Sequence, residues 1–409
     1  EKHDLAFGTS RWSSKLVHGG LRYLASGAVG IARESALERG VLMTRTAPHL
    51  VAPLAQVVPL LPSVSARQAA LVRAGFFAGD VLRRSAGTPG AVLPRSRRID
   101  AAEVRGRAPT VIAEGLRGGL LGWDGQLCDD ARLVVALART AASFGARVLT
   151  RCAAAEVSGS GAVLTDTLSG SRVEVRARMV VNAAGVWAGE IAPDVRLRPS
   201  RGTHLVLPQS AFGGLTVGLT VPIPESTNRF VFALPAADRR VYVGLTDEDA
   251  PGPVPDVPTA TEQEIDFLLD TVNTMLAEPI DRGDLLGTFS GLRPLLDAGS
   301  ERTADLSRKH AVLTARDGLV TVVGGKLTTY RRMAQDGVDA ALAWAGVGAG
   351  IEAGPCRTRR VPLVGATGRR ALGRIPAPAH LIRRYGTEAV DVVAAAGGDP
   401  ALLEPGCDG

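Results

Sequence analysis

Two segments, SSKLVHGGLRY from Ser13 and GGKLTTYRR from Gly324, set paired glycines beside hydroxyl side chains and one lysine. Glycine lets backbone N–H groups turn toward a ligand, and hydroxyls with an ammonium add donors, so this composition suits close approach of a phosphate or a cofactor. Either segment alone is equally a Gly-Gly turn between a strand and a helix. Lysine usage adds weight, because of 47 basic residues only four are lysine, and Lys15 and Lys326 stand in these two places. Six histidines supply candidates for proton transfer near neutral pH. No His, Cys and Asp grouping has metal-ligand spacing, and no GxSxG nucleophile elbow occurs.

The elements that must position these residues follow from size and pattern. At 409 residues the chain exceeds one usual core, which implies two domains and a third small unit. Hydrophobic residues at 45% and charged residues at 22% describe a folded chain. A net charge of +6, without a basic run interleaved with aromatics, argues against nucleic acid and suits an acidic small substrate or an anionic membrane surface. The four cysteines (Cys128, Cys152, Cys356, Cys407) form no CxxC, which points to a reducing, cytoplasmic setting. No apolar run approaches the roughly 18 residues of a membrane span, and no signal peptide opens the chain as given, so a soluble or peripheral protein is expected.

Periodicity predicts a helix over 31–46, then loops around one further helix at 69–82. Asp129 or Asp130 caps a helix with Leu133, Leu137, Ala141 and Phe144 on one face, closed by Gly145. A strand over 146–150 follows, then alternating segments at 153–168 and 173–175 with SGS as the turn, then a buried strand in MVVNAAGVWA that passes into a helix. Residues 200–290 read as a mixed antiparallel sheet with an amphipathic helix at 261–275, a plausible substrate domain. From Lys309 the order strand, Gly turn, strand, Gly-Gly turn, long helix is doubly wound α/β grammar. A short helical piece over 380–396 ends the pattern.

At this point TSRWSSKLVHGGLRYL, GWDGQLCDDARLV, VNAAGVWA, RGTHLVLP, GLTDED, SGLRPLL and VGGKLTTYRRMA resemble, in order, segments of the FAD-dependent glycerol-3-phosphate dehydrogenases of the D-amino-acid-oxidase-like superfamily. The resemblance spans about residues 1–345. It implies an α/β fold in which a Rossmann-like FAD-binding domain (1–45, 121–195 and 291–350) interleaves with a substrate segment (46–120) and a mixed antiparallel-sheet substrate domain (196–290). A small helical C-terminal domain begins over 355–409. Such a flavin domain opens with GxGxxG at a helix N-terminus and an acidic residue about 20 positions on. Glu1 matches that acid, so the chain reads as entered partway through the domain, with the glycine loop lying before it.

The same resemblance places Thr9, Ser10, Ser13, Ser14, Lys15, His18, Gly19 and Gly20 along the flavin and pyrophosphate. Ala184, Gly185 and Trp187 fall on the far side of the cofactor, and Gly324, Gly325, Lys326, Leu327 and Thr328 near its pyrimidine end. Lys326 there would stabilise the charge of the reduced ring. A phosphate dianion calls for Arg and Lys, and the family positions are Arg22, Arg293 and Arg308, helped by Tyr23 and Lys326. His204 in RGTHLVLP matches the family's active-site histidine, the candidate base for the C2 hydroxyl. Asp124, Asp129, Asp130 and Asp247 read as helix caps or loop anchors. The implied reaction oxidises sn-glycerol 3-phosphate to dihydroxyacetone phosphate and passes electrons to a membrane quinone. The implied protein is a homodimer, peripheral on the inner face of the cell membrane. An oxidase that uses O₂, and a non-catalytic remnant unable to hold FAD, are the alternatives.

Overall fold

The computed structural model describes residues 1–20, 27–224, 226, 229–297, 309–345 and 353–404. Within them the backbone builds one large mixed sheet, two three-stranded sheets and helices around them. The large sheet runs in the order Leu16–Val17, Gly119–Leu127, Val51–Pro59, Gly218–Pro222, Phe230–Pro235, Arg240–Gly244, Leu197–Pro208, Glu248–Asp249. Gly287–Leu296 also pairs with Leu197–Pro208, and Arg97–Ile99 with Gly119–Leu127. Its pairings are antiparallel except that of Gly218–Pro222 with Val51–Pro59. Alternation along Leu197–Pro208 sends Leu205 and Leu207 into the main apolar core. Leu268, Leu269 and Val272 of helix Glu262–Asn273 reach the same core, and His204 takes the opposite face.

The α/β part is a sheet of Ala311–Thr314, Val320–Val323 and Val181–Asn182, the last two parallel. Helix Tyr330–Ala345 follows from its Gly-Gly turn and packs back on Val320–Val323. A second core joins Leu42, Met43 and Leu50 to Leu133 and Ala136 of helix Asp130–Ser143 and to Leu363 of the C-terminal segment. Short helices at Ala379–Tyr385 and Ala389–Ala395 complete the described chain near its end.

Several expectations meet their elements closely. The first helix runs Val29–Val41 and continues as a π turn to Thr46, and the 69–82 helix extends to Ala66–Ser85 with a Ser65/Gln68 capping box. The antiparallel pairing expected of 153–168 and 173–175 is present, but 153–168 divides at a turn, so the region forms three strands, Cys152–Ser158, Gly161–Asp166 and Arg172–Arg176. Others are corrected. Val51–Pro59 is a strand, not a loop; its parallel neighbour engages only Gln56 and Val57, which leaves Pro53 and Pro59 outside that ladder. Gly119–Leu127, unexpected in the sequence, is its antiparallel partner. Residues 146–150 are exposed coil rather than a strand; beside them Glu1 N donates to the Leu149 carbonyl, and the Arg151 and Cys152 amides donate to the His3 and Glu1 carbonyls. The strand expected in MVVN is Val181–Asn182 alone, with Val181 exposed rather than buried. Phe144 caps the C-terminus of its helix and lies 75% exposed, off the buried face expected for it.

Candidate active site

The site starts from three glycines. Gly202, Gly244 and Gly291 lie on adjacent strands of the large sheet, and each leaves room for a large side chain of a neighbour. An ideal Cβ at Gly202 would stand 2.2 Å from Arg293 Nη2, one at Gly244 would stand 2.4 Å from His204 Cδ2, and one at Gly291 would stand 2.7 Å from Trp12 Cβ. His204, Arg293 and Trp12 therefore share one bare sheet face. Phe289, opposite His204 in register, stacks on it with ring centroids 4.6 Å apart, and Tyr242 meets Phe289 edge-on.

Residues 9–15 cross this face. Thr9 Oγ1 donates to the Leu292 carbonyl at 2.7 Å, Trp12 stacks toward Phe289, and the Ser14 hydroxyl lies 2.7 Å from His204 Nε2. Lys15, in the left-handed region at φ +55°, places Nζ 4.9 Å from the Phe289 ring centroid and 3.1 Å from Asp130 Oδ1. Arg293 Nη1 donates to Ser200 Oγ at 3.2 Å and to Asp247 Oδ1 at 3.4 Å, and Nη2 donates to the Thr246 carbonyl at 3.2 Å. The guanidinium is thus oriented by three groups before any ligand arrives.

His204 is fully enclosed, and burial, with the charges of Lys15 and Arg293, lowers its pKa to about 3. This corrects the expectation of a histidine near neutral pKa. At pH 7 the ring is neutral, and its Nδ1 has no hydrogen-bond partner among the described residues.

A second locus forms around the other glycine turn. Gly324 and Gly325 adopt φ +74° and +76°, and a Cβ at Gly325 would reach 2.4 Å from the Met333 sulfur. The turn leads through Leu327–Thr329 into helix Tyr330–Ala345, a helix N-terminus suited to anionic or carbonyl oxygens. Lys326 Nζ bonds Ser35 Oγ, and Leu327 packs into the second core. Lys326 also lines a cavity of about 270 Å³ with Gly30, Ile31, Glu34, Lys309, His310 and Thr329. His204 and Arg293 are not among that cavity's walls. Leu327–Thr329 packs against Leu16–Val17, which connects the two loci. Ala184 N donates to Asn182 Oδ1, Gly185 takes φ +61°, and a Cβ at Gly8 would lie 3.0 Å from the Trp187 ring. The 184–187 turn thereby meets the opening segment from the far side.

The remaining expected residues divide. Gly19 N donates to the buried Asp124 carboxylate, which also pairs with Arg39, and Gly20 is buried at φ +80°. His18 is half-buried, and Ser10 is exposed. Glu1 is exposed and accepts from its own neighbour His3 N. Arg22, Tyr23 and Arg308 lie outside the described residues. Asp129 is the expected helix cap, through Arg132 N. Asp130 and Asp247 do more than anchor loops, since each holds a cation of the site. Phe289 and Tyr242 went unforeseen; the one trace of them is an aromatic two residues from a glycine on a strand, a weak signal.

The family model described as FAD dependent oxidoreductase matches residues 1–331. Glycerol-3-phosphate dehydrogenase 1 of Mycobacterium tuberculosis is 58% identical over 405 residues, 97% of this chain and 77% of that protein. The chain belongs to the FAD-dependent glycerol-3-phosphate dehydrogenase family. Among solved structures, glycerol-3-phosphate dehydrogenase of Bacillus halodurans complexed with FAD aligns with 98% of this chain and 75% of its own, at TM-score 0.71 and 25% identity. The fold alone is shared with the FAD-bound L-alpha-glycerophosphate oxidase of Mycoplasma pneumoniae, which covers 89% of this chain and 91% of its own at TM-score 0.61 and 18% identity.

The family cofactor is FAD, and the described residues fit it. Thr328 Oγ1 and Trp12 Nε1 are buried without a hydrogen-bond partner among the described residues. Gly20, Gly185, Gly324 and Gly325 carry positive φ; Gly324 and Gly325 precede the Leu327–Thr329 turn, which packs on Leu16–Val17 just before Gly20, and Gly185 opens the turn that packs on Gly287–Leu296. Orphaned donors beside side-chain-free turns suit a flat, acceptor-rich group.

Proposed function

We propose that this chain oxidises the secondary alcohol of sn-glycerol 3-phosphate to dihydroxyacetone phosphate on bound FAD and passes the electrons to a membrane quinone. The observation that carries the reading is a buried, neutral histidine, His204, on the same bare sheet face as a pre-oriented arginine, Arg293. Arg293 binds the phosphate dianion through charge-assisted hydrogen bonds, with Arg22, Tyr23, Arg308 and Lys326 as further phosphate contacts. His204 Nε2 accepts the proton of the C2 hydroxyl. Burial is the larger cause of this histidine's low basicity, and a bound dianion offsets the smaller part that comes from the charges of Lys15 and Arg293, which raises the basicity when the proton must move. Bound FAD supplies the hydride acceptor. Thr9, Ser13, Ser14, Lys15, Gly19, Gly20, Ala184, Gly185, Trp187 and the 324–328 turn are the cofactor's proposed neighbours.

A membrane acceptor is supported by helix Ala66–Ser85, which leaves Leu71, Phe77 and Val81 exposed beside the exposed Arg67, Arg73 and Arg84. This combination suits peripheral contact with an anionic bilayer on the inner face of the cell membrane. No helix among the described residues is long and apolar enough to cross a membrane. The test is anaerobic reduction of a soluble quinone analogue by the FAD-supplied protein on addition of glycerol 3-phosphate. A kcat/KM that falls at least about 100-fold in Arg293→Ala, mainly through a raised KM, supports the reading. Absence of glycerol-3-phosphate-dependent flavin bleaching overturns it, and hydrogen peroxide release in air without quinone reduction moves the acceptor to O₂.

A further inference from the structure

Asp130 is the first residue of helix Asp130–Ser143, and the capping of that helix is done by its neighbour, Asp129. Its own carboxylate takes the Ala131 amide on Oδ1 at 3.1 Å and still reaches out of the helix, and at 1% exposure it is one of the most enclosed charges among the described residues. It accepts from Ser13 N at 3.0 Å and Ser13 Oγ at 2.6 Å, and pairs with Lys15 Nζ at 3.1 Å. The residues it holds, 13 and 15, bracket Ser14, whose hydroxyl lies 2.7 Å from His204 Nε2. Lys15 further donates to the carbonyls of Arg11 and Ser13, which tightens the loop on itself. A non-glycine residue at φ +55° carries a backbone strain that surrounding contacts must offset. Here they include the Asp130 carboxylate, which meets Lys15 Nζ directly and the Lys15 amide through Ser13 Oγ, beside the Leu127 amide on the Lys15 carbonyl.

We propose that Asp130 is a positioning residue: it clasps the loop on both sides of Ser14 and thereby holds the Ser14 hydroxyl on His204 and the loop over the ring. The helix N-terminus favours the carboxylate's charge, so the clasp is anchored in a rigid element. In the proposed reaction, on which the catalytic half of this inference rests, Ser14 keeps the imidazole in one orientation until substrate takes its place. Asp130 touches neither substrate nor the reacting atoms and acts through Ser14.

Carbethoxylation of histidine by diethyl pyrocarbonate, read at each site by peptide mass spectrometry on the flavin-free chain, tests the clasp without reference to activity. Loss of the clasp in Asp130→Asn exposes His204, and its modification rate rises at least about 10-fold. His49 is the internal control: it is 5% exposed and feels the charge of Arg132 on the same helix, so it reports loosening of the helix itself. An unchanged His204 rate, or equal acceleration of His204 and His49, overturns the proposal. Ser13→Ala and Lys15→Met cut the clasp from the loop side and must act in the same direction if Asp130→Asn fails to fold. In the FAD-loaded enzyme, Asp130→Asn and Ser14→Ala each lower kcat, and the double variant is no worse than the more impaired single variant, because both remove one unit. Losses that multiply overturn the route through Ser14. A clasp that stands in the chemical test while glycerol 3-phosphate gives no turnover would refute the proposed function and leave the clasp intact.

Discussion

Two buried histidines make the stability of this protein depend on pH in a defined window. Burial lowers His204 to about 3, with help from Lys15 and Arg293, and lowers His49 to about 4, with help from Arg132. The folded state holds both rings neutral, whereas an unfolded chain takes up protons near pH 6.5. Stability is therefore complete above pH 6.5, falls as pH drops below it, and stops falling from this source only at the folded pKa values. Between pH 7 and 5 each histidine removes about 2 kcal/mol, so the pair costs about 4 kcal/mol. Carboxylates such as Glu388, held below its usual range by Arg139, lose their contribution only at lower pH, which leaves this window to histidine. The assay is urea unfolding followed by far-UV circular dichroism at pH 7, 6 and 5, with FAD concentration fixed because a ligand of the folded state shifts apparent stability. His204→Gln and His49→Gln each flatten the pH dependence by about half, whatever they do to stability at pH 7. A loss below about 1 kcal/mol in the native sequence, or a His204→Gln protein that titrates as steeply as the parent, refutes the burial argument.

Gly202→Ala forces Arg293 off its seat by placing a methyl group 2.2 Å from Nη2; the fold survives because a side-chain tip can move, and KM for glycerol 3-phosphate rises about 10-fold or more in steady-state kinetics. Glu38→Gln strips the partner of the buried Arg331, whose Nε and Nη2 both lie 2.6 Å from that carboxylate, and unfolding measurements should show a loss of about 3–5 kcal/mol. Gly325→Ala strains a residue at φ +76° and crowds Met333, so FAD affinity measured by fluorescence titration drops while circular dichroism of the helices is retained. Gly386→Ala would bring a methyl within 1.8 Å of the Gly365 carbonyl oxygen and detach the C-terminal segment, seen as faster proteolysis after residue 364.

Several helices were readable because their signals are local. Asp129 and Gly145 bound one helix, Thr261 with Glu264 caps another, and the Gly324–Gly325 turn announces the long helix after it. The strand Val51–Pro59 was not readable, because two prolines look like loop residues until the partner ladder shows which positions need no donor. Family motifs drew attention to His204, Arg293 and the adjacent Ser14 and Lys15, from three separate stretches of sequence.

Sequence alone determined which residue types are available for phosphate, proton and cofactor chemistry, and their order along the chain. Tertiary structure decided how they act together. Pairing of Gly287–Leu296 with Leu197–Pro208 set Arg293 and His204 on one face, and Gly202 and Gly291 cleared it. Folding of residues 9–15 across that face put Ser14 on His204 and made Asp130, 115 residues from Lys15, the holder of the loop. Burial then lowered the pKa of His204 by excluding water, an effect set by every element around the ring and so invisible in the residues beside it in sequence.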